Sequence, residues 1–412
     1  MRDTPSLKAL IEKQLALPFE KISVISVVDL FVEYAYSTKA SDIHIEPAKM
    51  GTRLRFRIDG LLRDVFDPKK ISKDLHQELI SRIKVLSGLR TDEHLVPQDG
   101  RFKVVVEGFG DIDVRVSIMP TYIGENAILR VLAETQTFNL ADLDFPPKDL
   151  KKIQDAINKP YGMILANGPT GSGKTTTLYT VLKQLNKPDA SIITIEDPIE
   201  YSLDGATQVQ INDRVGLTFA SGLRSILRQD PNIIMVGEIR DSETAGIAVN
   251  AALTGHLVLS TLHTNDAATT FPRLLDMGVP PFLVASTVNV AIGQRLVRQL
   301  CQKCKVKRVL SASEIKSVAE IIPDVQGEGT KTFFESKGCA ECNDTGFQGR
   351  IGIREVLEVS DQIRQLVMNH ANAGQIKEAA IKNGMTTMIK DGLLKAEKGL
   401  TSLEELLRLI HE

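Results

Sequence analysis

Apolar residues in this chain follow two different periods. From Ser23 to Ser37 they recur at the spacing of a helix, and the segments 42–46, 52–58, 101–106, 112–118 and 127–132 then alternate polar and apolar as half-buried strands do. Asp59-Gly60 supplies a hairpin turn within that series, and a second helical stretch covers 71–89. The pattern predicts one α+β domain over 21–135. Ahead of it, Leu7, Leu10, Ile11, Leu15 and Leu17 fall at helical spacing before Pro18 interrupts them, so 1–20 is expected to be a short amphipathic lead-in.

Beyond this domain the composition changes. Asn139, Asp142, Asp144 and the pair Pro146-Pro147 mark an interdomain linker, placed at 136–149. Strand-like runs at 162–166, 191–195, 232–236 and 257–262 then alternate with helical patterns, which predicts a doubly wound parallel α/β sheet within a domain of 150–300. Segment 301–358 holds all the cysteines, and 359–412 returns to a helical period as a closing helical region.

A chain of 412 residues suits two or three domains, because single cores rarely grow beyond ~250–300 residues. Hydrophobic residues make up 42% and charged residues 25%, the balance of a soluble globular protein. The formal net charge of −2 gives no ground for wholesale nucleic-acid binding. No stretch approaches the ~20 apolar residues of a membrane span, and Met1-Arg2-Asp3-Thr4-Pro5 lacks the apolar core of a signal peptide, so a cytoplasmic location is expected.

The sharpest motif is Gly168-Pro169-Thr170-Gly171-Ser172-Gly173-Lys174-Thr175, a complete G-x-x-x-x-G-K-T loop. It follows the apolar run Met163-Ile164-Leu165-Ala166 and precedes a helix-like segment beginning at Thr176. That context makes it a phosphate cradle: a strand delivers the chain, glycines let successive N–H groups converge on an anion, and a helix adds its positive end. Lys174 would reach the β- and γ-phosphates, Thr175 would hold magnesium, and Thr176 would complete the nucleotide contacts. A nucleoside triphosphate is the expected ligand.

Two acidic clusters follow later strands. Glu196-Asp197-Pro198-Ile199-Glu200 comes after Ile192–Ile195, and Gly237-Glu238-Ile239-Arg240-Asp241 comes after Ile233–Val236. Strand tips beside a phosphate loop are where carboxylates must stand to hold magnesium's water shell and position the attacking water. Glu238 is expected to be the base or water-positioning residue with Glu200 as its helper, while Glu196 and Asp197 complete the first cluster. His256 and His263 bracket another apolar strand, and their seven-residue separation argues against a shared metal. His263, at the strand tip, is the candidate sensor of the γ-phosphate; a hydrogen-bonded structural histidine is the alternative for His256.

Cys301-x-x-Cys304 and Cys339-x-x-Cys342 are the only cysteines. Two such knuckles in a reducing compartment point to a structural zinc ion held by four thiolates, with redox-active or unpaired cysteines as the alternative. Arg55 and Arg57 share one face of a predicted strand. Alone they would be a solvated sheet face; beside a nucleotide they would clamp developing phosphate charge.

Together these residues resemble the secretion and type IV pilus ATPases of the GspE and PilB kind. The resemblance rests on Ala40-Ser41-Asp42-Ile43-His44-Ile45-Glu46-Pro47, Arg55-Phe56-Arg57-Ile58-Asp59-Gly60, Val96-Pro97-Gln98-Asp99-Gly100-Arg101, the phosphate loop, both acidic clusters, Leu227-Arg228-Gln229-Asp230-Pro231 and Thr254-Gly255-His256, and it spans nearly the whole chain. It implies a RecA-like P-loop ATPase core preceded by a smaller α+β, PAS-like domain. It also implies a homo-hexamer using ATP, Mg2+ and structural Zn2+, with 196–200 and 256–263 lining the site and Arg55 and Arg57 acting as arginine fingers. The implied partners are an inner-membrane platform protein and cytoplasmic docking proteins, with the motor peripheral at the inner face of the cytoplasmic membrane.

There are departures. Asn232 stands where the family signature has Asp, and Lys69-Lys70 occupy a region where some relatives place a second arginine finger. Members usually carry a further N-terminal docking domain, whereas this chain starts almost at 21–135, as a truncated piece or a compact natural form would. The resemblance implies a cytoplasmic ATPase driving pilin or pseudopilin assembly; retraction motors of the superfamily lack the cysteine module. The alternatives are a retraction or conjugation-type secretion ATPase, and a nucleotide-gated scaffold with little turnover.

Overall fold

Alternation in the first third of the chain produces an antiparallel sheet with one apolar face. The computed structural model describes residues 4–106, 110–132, 139–322, 325 and 331–411, and it separates into two units, Met1–Gln136 and Thr137–Glu412. In the first, α1 (Thr4–Leu15), α2 (Val24–Ser37), β1 (Ala40–Ala48), β2 (Gly51–Ile58), β3 (Leu61–Asp64), α3 (Lys73–Leu86), β4 (Gln98–Val106), β5 (Gly110–Pro120) and β6 (Glu125–Leu132) follow in order. The strands pair antiparallel as β3-β2-β1-β6-β5-β4. Asp59 and Gly60 both take positive φ, 50° and 86°, as a two-residue hairpin turn between β2 and β3 requires.

Side-chain alternation sorts this sheet into two faces. Ile43, Ile45, Leu54 and Phe56 bury against Val27 and Phe31 of α2 and Leu79 and Ile83 of α3. The intervening positions form a charged ladder, with Asp42 opposite Arg57, His44 opposite Arg55 and Glu46 opposite Arg53. Leu7, Ile11 and Leu15 of the lead-in helix join the same core. Ser23 and Ser72 cap α2 and α3, accepting N–H bonds from Ser26 and Leu75.

The expected linker 136–149 begins outside the described residues, but its described part is packed rather than free. Leu140, Leu143 and Phe145 are buried in the second unit, and Arg354 lies 4.5 Å over the Phe145 ring while donating to the Leu143 carbonyl. Polar composition concealed these three apolar anchors.

The second unit contains α4 (Pro147–Ile157), β7 (Gly162–Asn167), α5 (Lys174–Leu185), β8 (Ile192–Glu196), β9 (Ala206–Gln210), α6 (Phe219–Ile226), β10 (Ile233–Val236), α7 (Ser242–Leu253), β11 (Leu257–Leu262), α8 (Thr270–Asp276), α9 (Pro281–Thr287) and β12 (Val288–Leu300). Then come β13 (Lys305–Leu310), α10 (Ala312–Ile321), β14 (Lys331–Ser336), β15 (Phe347–Glu358), α11 (Asp361–Met368), α12 (Ala373–Lys382), α13 (Met388–Glu397) and α14 (Leu403–His411). Seven strands form one sheet in the order β15-β12-β7-β11-β10-β8-β9. The sheet is mixed rather than purely parallel: β15 runs antiparallel to β12, and the other neighbours are parallel.

Helices cover both faces of this sheet. Met163, Leu165, Ile234, Val236 and Val258 face α6 to α9, α11 and α12, while Ile164, Ala166, Met235 and Leu259 face α4 and α5. Each such Val, Leu, Ile or Met side chain contributes about 1.5–3 kcal/mol by leaving water. Being buried on both faces, β7, β8, β10 and β11 read as continuous apolar runs. The cysteine region and the last two helices share a further core, with Leu310 and Phe333 packed among Ile351, Leu393 and Leu406. No helix among the described residues is long and apolar enough to cross a membrane.

Candidate active site and metal centre

Parallel pairing brings the carboxyl ends of β7, β8, β10 and β11 to one edge of the sheet. Asn167 at the end of β7 pairs with Leu262 at the end of β11, and Val236 at the end of β10 pairs with Ser260 of β11 and Ile195 of β8. Gly168, His263 and Glu238 therefore leave the sheet side by side. Hydrogen bonds fix the tip of β10 on both sides: Gly237 N–H donates to the Ile195 carbonyl at 2.8 Å, and Thr261 Oγ1 donates to the Gly237 carbonyl at 2.7 Å.

The loop 168–173 turns through positive φ at Gly168, Gly171 and Gly173, 148°, 78° and 85°. A Cβ on Gly168 would lie 2.5 Å from the Gln294 carbonyl oxygen, so the first position tolerates no side chain. Pro169, Thr170 and Gly171 are exposed at the tip, and Thr175 and Thr176 are half-buried at the start of α5. No side chain caps the amino end of α5, and the buried Ser172 hydroxyl has no hydrogen-bond partner among the described residues. Uncapped N–H groups, an unengaged hydroxyl and a helix start form a donor set that fits the phosphates of a nucleotide.

Lys174 lies across this loop, its Nζ donating to the carbonyls of Gly168 at 2.7 Å and Pro169 at 2.9 Å. Burial brings its pKa down to about 8, with the Glu238 charge opposing the shift and the Arg295 charge reinforcing it. Glu238 accepts a hydrogen bond from Arg240 at 2.5 Å and meets His263 Nε2 at 2.9 Å. Burial works against its ionisation, but these bonds and charges more than offset it and hold the carboxyl below its ordinary value. Asp197 is exposed, and its charge acts on Arg240 from the first acidic cluster. The structure thus gathers Lys174, Glu238, His263 and Asp197 on the edge that carries the loop.

Two other expected nucleotide contacts have their side chains engaged by the protein itself. Glu196 is buried, and its carboxylate accepts from Tyr179 Oη at 2.5 Å, Thr194 Oγ1 at 2.6 Å and Gln208 Nε2 at 3.2 Å, which leaves it joining α5 to β8 and β9. Burial and Glu196 together push the Tyr179 hydroxyl upward, so this tyrosine stays a donor. His256 precedes β11, and its carbonyl accepts from Gly162 N–H at the opposite edge of the sheet, about 20 Å from the loop at ~3.3 Å per strand residue. Its ring nitrogen Nδ1 bonds the Ala251 carbonyl at 2.9 Å, which makes it the hydrogen-bonded structural histidine. Glu200 is half-buried beyond the strand tip, with its main chain against the Tyr179 hydroxyl.

In the first unit Arg55 donates to Glu46, while Arg57 donates to the Gly60 carbonyl at 3.1 Å and stands 3.4 Å from Asp42. One residue of the nucleotide site that sequence reasoning missed is Gln294 on β12. Its signal was an amide one residue beyond the apolar run Val290-Ala291-Ile292.

The four cysteines converge, all thiol sulfurs lying within 4.8 Å of one another. Cys301 and Cys339 are 3.8 Å apart, Cys304 and Cys342 3.8 Å, and Cys339 and Cys342 3.7 Å. A tetrahedral ion about 2.3 Å from each sulfur separates the sulfurs by about 3.8 Å, whereas a disulfide needs about 2 Å. Burial pushes the Cys342 thiol up, but N–H groups of Cys339 and Gly346, each 3.2 Å from its sulfur, outweigh this and bring it down to about 7. The donor set fits a structural zinc ion.

A family model described as "Type II/IV secretion system protein" matches residues 19–408. The chain is 46% identical over 393 residues to the type IV pilus assembly ATPase PilB of Myxococcus xanthus, covering 95% of this chain and 69% of that one. It is 44% identical over 413 residues to the type II secretion system protein HxcR of Pseudomonas aeruginosa, covering 100% of this chain and 81% of that one. Among solved structures, the Legionella pneumophila ATPase DotB superposes with a TM-score of 0.70 at 22% identity, over 96% of this chain and 98% of that one.

Proposed function

We propose that this chain, which belongs to the type II/IV secretion system protein family, hydrolyses ATP to drive pilin or pseudopilin assembly as a hexameric cytoplasmic motor peripheral to the membrane. The observation that carries the chemistry is the meeting of Lys174, Glu238 and His263 at one sheet edge beside an uncapped phosphate loop. The assembly role rests on relatives named for type IV pilus assembly and type II secretion, matched over almost all of this chain.

On this reading Lys174 exchanges its two loop carbonyls for phosphate oxygens, and the 168–175 N–H groups hold the anion. Thr175 would hold magnesium, which would supply charge neutralisation when bound. Glu238 orients the attacking water and accepts its proton, and His263 reports the γ-phosphate through its bond to Glu238. Glu200 assists from the first acidic cluster, Arg55 and Arg57 act as arginine fingers toward the site of a neighbouring chain in the ring, and the four cysteines would hold zinc, which would brace the region of Cys301 to Cys342. A phosphate-release assay on purified chain tests the reading: steady Mg2+-dependent turnover is expected, and binding without turnover would make the chain a nucleotide-gated scaffold.

A further inference from the structure

Glycines give the phosphate loop its shape but no packing of their own. Its inner side is held instead by Gln294, whose side chain is wholly buried under it. Gln294 Nε2 donates to the Ser172 carbonyl at 2.6 Å, and its Oε1 accepts from Thr177 Oγ1 at 2.8 Å. One amide therefore ties the last turn of the loop to the first turn of α5. The register sets this contact, because Gly293 of β12 pairs with Asn167 of β7 and the next residue of each strand falls at the loop. The loop also closes directly on this residue: a Cβ on Gly173 would stand 3.0 Å from Gln294 Nε2.

The chemistry of that contact is directional. A peptide unit is planar and trans, so its C=O and N–H point opposite ways. Turning the Ser172 carbonyl toward Gln294 fixes the Gly173 N–H on the far side, away from β12. We infer that Gln294 is a positioning residue for nucleotide binding: by holding the 172–173 peptide and the Thr177 hydroxyl, it keeps the loop's N–H groups turned toward the β-phosphate. A carboxylate cannot replace it, because an acceptor would then face the Ser172 carbonyl within a site built for an anion.

This inference rests on the proposed nucleotide binding, and one calorimetric titration with MgADP on the full chain separates the two. Parent, Lys174→Ala, Gln294→Met, Gln294→Glu, Thr177→Val and the Gln294→Met/Thr177→Val double variant are compared. Gln294→Met, close in volume but without the amide, is expected to weaken ADP about tenfold or more, since both buried hydrogen bonds of the amide are lost. The melting temperature of the unliganded protein should stay within a few degrees of the parent, and kcat at saturating ATP should fall less than KM rises. Gln294→Glu should weaken ADP further. The double variant should bind no more weakly than Gln294→Met, since both residues act through one network. If Gln294→Met does not fold, Thr177→Val carries the test with a smaller loss of the same kind. A parent that takes up no ADP would sink the nucleotide reading itself. A binding parent with unchanged affinity in folded Gln294→Met or Thr177→Val would overturn the role given to Gln294.

Discussion

His263 Nε2 stands 2.9 Å from Glu238 Oε2, a pair brought together from the tips of two adjacent parallel strands. Because Glu238 is held below its ordinary value, it is ionised throughout the neutral range and available as a base. Glu238→Gln should therefore leave nucleotide affinity within about threefold while turnover falls by about 10²–10³. Lys174→Ala should remove measurable binding instead. Turnover at the parent rate in Glu238→Gln would shift the assignment to Glu200.

The lowered pKa of Lys174 gives nucleotide affinity a pH dependence. The phosphates favour the ammonium form, so binding takes up protons wherever the free protein has lost them. Affinity should be level below pH 8 and decline as pH rises through the value of about 8 for the free protein, by up to about tenfold per pH unit. Titrations in buffers of different ionisation enthalpy would register the proton uptake near pH 8. A flat profile between pH 7 and 9.5 would rule out a depressed Lys174 facing the phosphates.

Purified chain should contain one tightly held zinc ion. Cys301→Ser or Cys339→Ser should lower metal content and loosen 301–358, because metal binding at such a site is coupled to folding. Elemental analysis and hydrogen exchange over that segment provide the check. Four freely reactive thiols in a folded, metal-free protein would exclude the site.

Arg55 should affect turnover more than binding if it supplies charge to the transferred phosphate. Arg55→Ala is expected to lower kcat by at least about 10²-fold with little change in ADP affinity, and specific activity should rise with protein concentration as rings form. Mixing Arg55→Ala with Lys174→Ala protein adds a test, since partial recovery requires intact elements of different chains to meet. An Arg55→Ala variant as fast as the parent, with concentration-independent activity, would remove the arginine from the mechanism.

Local rules sufficed for much of this molecule. The strand alternation at 42–46 and 52–58, the hairpin at Asp59-Gly60 and the phosphate loop between an apolar strand and a helix all correspond to observed elements. What sequence could not supply was the direction of a strand's neighbours. Glu196 and Glu238 both end or follow apolar strands, yet Thr194 and Gln208 engage the first while His263 engages the second, and only register distinguishes them. His256 and His263 both flank β11, and one precedes the strand while the other follows it, in keeping with the separation that argued against a shared metal. β12 escaped notice because a buried strand has no alternation, so its apolar stretch is indistinguishable from a helix segment by period.

The long strand β12 has a geometric consequence of its own. It pairs with β7 only as far as Gly293, then continues with β15 alone as a two-stranded ribbon to Leu300, braced by Arg298 stacked over Phe347, before reaching Cys301. At ~3.3 Å per residue, Cys301 is about 23 Å along the strand from Gln294, so a tilt of about 10° at the loop end carries the thiol about 4 Å. The ribbon has the length of a lever arm running from the phosphate loop to the four thiols, which stand where its travel would be greatest.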